Sequence, residues 1–366
     1  MQITDVDVIP VRGRHWPRFP MVFVEVHTDE GLVGVGEALP YQATGLVGSL
    51  RELGEALRCT DPFHIQAHWE RLFRQGASMP ALSALETAMW DLVGQALGVP
   101  IYQLLGGACR DQIHVYADGF FREGEPTPQA YAEKAQEAVG GGLDALKMDV
   151  DEFLAEDKRF DRGLRRPELD RIVETVSAVR AAVGEGVLLG LDCHWAFDVS
   201  AATRLGHALE PLDLMWLEDP IPSGNAAALA QLRAEVAVPI CTGEVLETRY
   251  AYRELLERGA ADVLMPDLAR TGGILETMRI AALADTYYVS IAPHNMMGPV
   301  ATAASIQLCA CIPNFRILEY QMADVPWRDE IVEPPLTLVD GHFSLPRGPG
   351  LGMRLNHGTL GKYVVN

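Results

Sequence analysis

From Ile113 onward the chain is a series of short apolar runs separated by helix-length segments, and this period limits the available folds more than any other feature. The runs are Ile113–Gly119, Ala145–Val150, Val187–His194, Leu214–Pro220, Ile240–Glu244, Val263–Leu268, Val289–Pro293 and Ile317–Tyr320. Near-continuously apolar strands alternating with helices make a parallel sheet covered by helices, and eight such units predict a closed β/α barrel. An open doubly wound sheet is the alternative, but no GxGxxG follows an early strand.

Before the barrel the pattern differs. Val22–Thr28, the turn Asp29-Glu30-Gly31 and Leu32–Gly36 predict an antiparallel hairpin. Leu85, Met89, Leu92 and Ala96 recur at helical steps between Ala81 and Leu97, and Gly98 with Pro100 closes that helix, for which one buried face is expected. The fold class expected is α/β, a modified (β/α)7β TIM-type barrel over residues 113–330. An α+β N-terminal capping domain over 1–112 is joined by the C-terminal segment 331–366.

Composition excludes several function classes. Gly 34 and Pro 23 in 366 residues make about 16 %, too few for a low-complexity chain. Thirty Lys and Arg against 50 Asp and Glu give a net charge of −20, so no basic field attracts nucleic acid or a membrane surface. Small molecules or cations are the expected partners. The six cysteines form no CxxC pair, which argues against a disulfide framework or zinc site. The N-terminus has no basic start with an apolar core, so a cytoplasmic location is expected. Asn295–Phe315 is uncharged but interrupted by polar residues and Pro313, as in a buried helix and not a membrane span.

Nearly every apolar run closes on a polar or charged residue: Asp118, Lys147 with Asp149, Asp192 with His194, Glu218, Glu244, Asp267, His294 and Glu319. In a barrel the carboxyl ends of the strands face the active site. Asp192, Glu218 and Glu244 are 26 residues apart in succession, one β/α unit each, so the three carboxylates can converge on one cation. An all-oxygen set suits a hard ion such as Mg2+. Strand alternation keeps Glu218 and Asp219 from both pointing inward, and the equal spacing selects Glu218. The same alternation places His194 beside Asp192 and Asp149 beside Lys147. Asp267 precedes His294 by 27 residues, on the adjacent strand, where the carboxylate can hold the imidazole as a base.

KxD, DxH, EDP, GE, Asp, PHN and Glu, in that order on strands two to eight, resemble the enolase superfamily, mandelate racemase group. So do Gly31–Glu37, Gly98–Gly107 and Gly348–Met353. The resemblance implies that Asp192, Glu218 and Glu244 bind Mg2+ and that His294, oriented by Asp267, removes the proton next to a substrate carboxylate to give an enediolate. It also implies that Lys147 neutralises carboxylate charge and that Glu319, if protonated, donates to the enediolate.

One position departs from the racemases: Asp149 stands where many relatives carry a second lysine base. Asp192-Cys-His194 is instead similar to the galactonate and mannonate dehydratase branches, where the histidine is the general acid for a departing hydroxyl. The resemblance therefore implies an acid-sugar dehydratase, a lyase giving a 2-keto-3-deoxy acid, and a homo-oligomer. Substrate contacts are expected from Asp149 and from the cap loops, at Trp16 and Tyr41. The acidic and basic mixture Asp151–Arg166 is expected to be a solvated helix and loop, with contact of Arg162, Arg165 and Arg166 to an anionic substrate as the alternative. A cycloisomerase or epimerase acting on a sugar acid or lactone, and a barrel that binds metabolites without turnover, remain alternatives.

Overall fold

In the computed structural model, residues 1–14, 19–40, 45–122, 125–150, 153–154 and 161–365 are described. The cap begins with β1 (Ile3–Val11), β2 (Met21–Thr28) and β3 (Val33–Ala38), an antiparallel sheet in that order. Helices α1 (Leu46–Leu57), α2 (Ile65–Arg74), α3 (Met79–Leu97) and α4 (Ile101–Leu104) follow. The cap has its own core, in which Val22, Val24 and Val26 of β2 meet Leu50, Trp69, Leu85 and Leu92. Gly34 and Gly36 let β3 lie directly on α3, because a Cβ at either would stand 2.2 or 2.1 Å from the carbonyl oxygens of Ala88 and Ala84.

The expected single buried face of α3 is corrected by the structure. From Met79 to Met89 every residue is buried, Glu86 included. The reason is its place between two layers: β3 lies on one side, and the helix starts at the barrel mouth lie on the other.

All eight predicted barrel strands form: β4 (Gln112–Asp118), β5 (Ala145–Asp149), β6 (Leu188–Asp192), β7 (Trp216–Glu218), β8 (Ile240–Thr242), β9 (Val263–Leu264), β10 (Ser290–Ile291) and β11 (Leu318–Gln321). β4 to β10 pair in sequence order, parallel throughout, and β11 pairs with β4. Hydrogen bonds from Ile291 N to Asn314 O and from Arg316 N to Ile291 O close the ring. Between the strands run α5 (Pro128–Gly140), α6 (Arg166–Val183), α7 (Val199–Leu209), α8 (Ala226–Glu235), α9 (Thr248–Arg258), the short α10 (Leu268–Thr271) with α11 (Ile274–Asp285), and α12 (Pro299–Cys311). Every residue of α12 is buried, and no described helix is long and apolar enough to cross a membrane. All six cysteines are free thiols.

The tail serves both parts. β12 (Val332–Glu333) pairs with β15 (Arg354–Leu355), and β13 (Leu338–Val339) pairs with β14 (His342–Ser344), which adds antiparallel to β4. After α13 (His357–Leu360), Tyr363 O accepts from Arg12 N and Val365 N donates to Pro10 O in the cap.

Two cap carboxylates terminate barrel helices. Glu86 accepts from Ile274 N (2.8 Å) and Leu275 N (3.0 Å), at the start of α11, and from Trp90 Nε1 (2.7 Å). Glu37 accepts from Gly298 N (2.8 Å) and Ala301 N (2.9 Å), at the start of α12. These amides have no partner inside their helices, and the positive ends of the helix dipoles favour an acid there. Glu86→Ala would leave buried donors unpaired and is expected to cost about 3 kcal/mol of stability, checked by denaturant unfolding.

Candidate active site

Strand alternation builds the site. The barrel interior is filled by Tyr116, Ala145, Trp216, Cys241, Val263 and Ile317, among others. Two residues further along β5 and β11, Lys147 and Glu319 face the same interior, whereas Met148 and Cys193 face the helices. Lys147 Nζ lies 3.2 Å from Asp192 Oδ2, 2.5 Å from Glu218 Oε1 and 3.0 Å from Glu319 Oε1. Burial works against the ammonium, but Glu218, Glu319 and Asp192 hold it charged, well above the ordinary lysine range.

Asp192, Glu218 and Glu244 each bring a carboxylate oxygen within 4.8 Å of the others. The first two are buried, and Glu244 keeps 11 % of its side chain exposed. His194 N donates to Asp192 Oδ1 (2.9 Å) and Trp216 Nε1 to Glu218 Oε2 (2.9 Å). Burial, the charge of Asp192 and, for Glu218, that of Glu319 push Glu218 and Glu244 above the ordinary carboxylate range. Three crowded carboxylates with no soft donor among them fit a hard divalent cation.

Opposite this cluster, His294 Nδ1 is 2.8 Å from Asp267 Oδ2, and its Nε2 is 3.4 Å from Glu244 Oε2 and 3.7 Å from Glu319 Oε2. Burial alone would lower the imidazole pKa, but Glu244, Glu319 and Asp267 overcome it and raise it to about 10. The donor role implied for Glu319 requires its proton. Burial favours its proton, yet Lys147 and His294 and the Asn295 N–H, 2.7 Å from Oε2, hold it below the ordinary range. As the site stands, Glu319 accepts hydrogen bonds.

β7 ends at Glu218, and Asp219 follows at φ +38°. Its buried side chain accepts from Thr242 Oγ1, and burial with the charges of Glu244 and Asp192 raises its pKa. His194 and Trp195 are also left-handed, at φ +43° and +59°, so backbone strain is concentrated where strands β6 and β7 open into the mouth.

His194 Nε2 is 3.6 Å from Asp192 Oδ2, and Asp149 stands beside both. Arg122 Nη2 reaches Asp149 Oδ2 (3.3 Å) and Asp118 Oδ2 (3.4 Å), and Gln321 Nε2 donates to Asp118 Oδ2 (2.8 Å). Arg122 and Gln321 are absent from the sequence-derived set. Gln321, two residues past Glu319, was within reach of the alternation rule, whereas Arg122 follows a strand end and carries no such signal. Arg165 and Arg166 are exposed and pair with Glu168 and Asp170 of α6, as in the solvated helix expected there, and the alternative of a substrate contact gains no support from them. Trp16 and Tyr41 lie outside the described residues.

A capped (β/α)7β barrel with this acid cluster and Asp–His pair at its mouth is the architecture of the enolase superfamily. Residues 130–359 match the family described as enolase C-terminal domain-like, and residues 14–106 match the mandelate racemase / muconate lactonizing enzyme N-terminal domain. The chain belongs to this mandelate racemase / muconate lactonizing enzyme family. It is 38 % identical to a D-xylonate dehydratase of Haloferax volcanii, over all of this chain and 89 % of that protein. It is 34 % identical to a D-galactonate dehydratase of Variovorax paradoxus, over 92 % and 88 %. A crystal structure of a mandelate racemase/muconate lactonizing enzyme-like protein from Rubrobacter xylanophilus superposes with a TM-score of 0.92 at 34 % identity, covering 100 % of this chain and 98 % of that one.

In protein freed of divalent cations with a chelator, His294 is expected to keep its second proton to about pH 10. Glu244→Gln removes the largest raising charge and should move the midpoint down, both read from imidazole NMR shifts.

Proposed function

We propose that this chain is a Mg2+-dependent acid-sugar dehydratase that converts a sugar acid to a 2-keto-3-deoxy acid. One arrangement carries this: the Asp267–His294 pair faces the Asp192, Glu218 and Glu244 cluster, with a second histidine, His194, on the neighbouring side. The names of the relatives, dehydratases of xylonate and galactonate, support it.

Asp192, Glu218 and Glu244 would hold Mg2+, which when bound supplies positive charge at the substrate carboxylate and acidifies the neighbouring C–H bond. His294 Nε2 takes that proton while Asp267 holds Nδ1, and the C–H electron pair passes into the carboxylate to form an enediolate. Lys147 offsets the negative charge accumulating on this side of the site. When the enediolate collapses, the bond from carbon 3 to its hydroxyl oxygen breaks, and His194 protonates the hydroxyl so that it leaves as water. The enol then takes a proton at carbon 3 to become the keto acid. Asp149, tied to Arg122, occupies the place of a second lysine base, which favours elimination over two-base epimerisation.

Incubation of a stereochemically complete set of acid sugars with Mg2+ tests the proposal through keto-acid formation. No keto acid from any of them would overturn it. His294→Asn should abolish exchange of the substrate α-proton with D2O, whereas His194→Asn should keep exchange and stop water loss. Joint loss or joint survival of the two signals would refute this division of roles. Glu218→Gln should weaken Mg2+ binding by about tenfold or more in calorimetry, in keeping with the loss of one anionic ligand.

A further inference from the structure

One sector of the mouth contains four buried polar atoms without a hydrogen-bond partner among the described residues: Asp118 Oδ1, Arg122 Nε, Asp149 Oδ1 and Gln321 Oε1. They belong to one connected group, because Gln321 donates to Asp118 and Arg122 spans Asp118 and Asp149. Gln321 pairs with Asp118 across β11 and β4, and Asp149 ends β5 on the other side of β4. Each of the three is at most 7 % exposed. By alternation they face inward two residues beyond Tyr116, Lys147 and Glu319, roughly 6–7 Å nearer the opening.

Unpaired buried polar atoms are unfavourable, and four in one place indicate groups that a ligand satisfies. Arg122 and Gln321 also line the cavity between cap and barrel, together with Arg14, Phe19, Glu37 and Asp324. The amide of Gln321 is held close: a Cβ on Gly119, at φ +76°, would stand 2.1 Å from its Oε1. The sector begins beside His194, since ligand atoms of Asp149, Asp192 and His194 lie within 4.8 Å of one another.

The chemistry of the open atoms selects the occupant. Three acceptors and one donor suit hydroxyl groups, each of which both donates and accepts. A second carboxylate would meet Asp118 and Asp149 with one guanidinium between them. We propose, on the basis of the acid-sugar reading above, that Asp118, Arg122, Asp149 and Gln321 bind the neutral hydroxylated tail of the substrate, past the departing hydroxyl. The substrate is then a monocarboxylic sugar acid, and diacids are rejected.

The test uses the full chain with Mg2+ and the best-converted aldonate, its analogue lacking hydroxyls beyond carbon 3 other than those needed for solubility, and the diacid of the same stereochemistry. The wild type should prefer the aldonate over both by about 30-fold in kcat/KM, as expected where a missing hydroxyl leaves charged partners unpaired. Asp118→Asn should lower kcat/KM on the aldonate about tenfold, mainly through KM, and leave the deoxygenated analogue within about twofold. Arg122→Lys, which keeps the charge but loses the Nε donor, should show the same convergence of the two substrates. Equal wild-type turnover of the three acids, or parallel losses on both substrates in the variants, would overturn the subsite and leave the dehydratase reading in place. Neither keto acid nor α-proton exchange from any acid would overturn that reading and the subsite with it.

Discussion

The ammonium of Lys147, within 2.5 to 3.2 Å of carboxylates from β6, β7 and β11, is the contact on which the rest of the mouth depends. Buried carboxylates are tolerated only with compensating charge and hydrogen bonds. Lys147 compensates one side of the ring, where Glu319 stays ionised. Burial and the charge of Asp192 still raise the proton affinities of Glu218, Asp219 and Glu244, with Glu319 adding to the first and Glu244 to the second. The same field raises His294. An imidazole made basic by its surroundings and a carboxylate set short of positive charge are therefore two effects of one charge distribution.

That distribution arises from short strands. β7 and β8 have three residues each, and β9 and β10 have two, so the side chains that matter sit at or just beyond the last paired residue. There the backbone is free to turn, and both His194 and Asp219 take a left-handed φ. Helix starts cluster at the same level, and the cap seals two of them with Glu37 and Glu86.

Much of this was legible before any coordinates. The eight runs from Ile113 to Tyr320 locate every barrel strand, because parallel strands buried on both faces are apolar along their whole length. The 26-residue spacing brings Asp192, Glu218 and Glu244 together, and the 27-residue spacing gives the contact between Asp267 and His294. Legibility ends where periodicity ends. The left-handed backbone at Asp219 lies just past a strand, beyond the reach of alternation. Arg122 comes from a loop, and the burial of α3 on nearly all sides comes from two layers distant in sequence. The ionised state of Glu319 depends on distances to Lys147 and Asn295, which no local pattern encodes.

The carboxylates of Glu37 and Glu86 make the cap a structural component of the barrel and not a lid resting on it. Cap exchange between relatives, as in building chimeras to alter substrate range, therefore has a natural limit. A grafted cap must bring acids that reach the amides of Gly298, Ala301, Ile274 and Leu275, or the recipient barrel is left with two frayed helix starts beside its reacting groups.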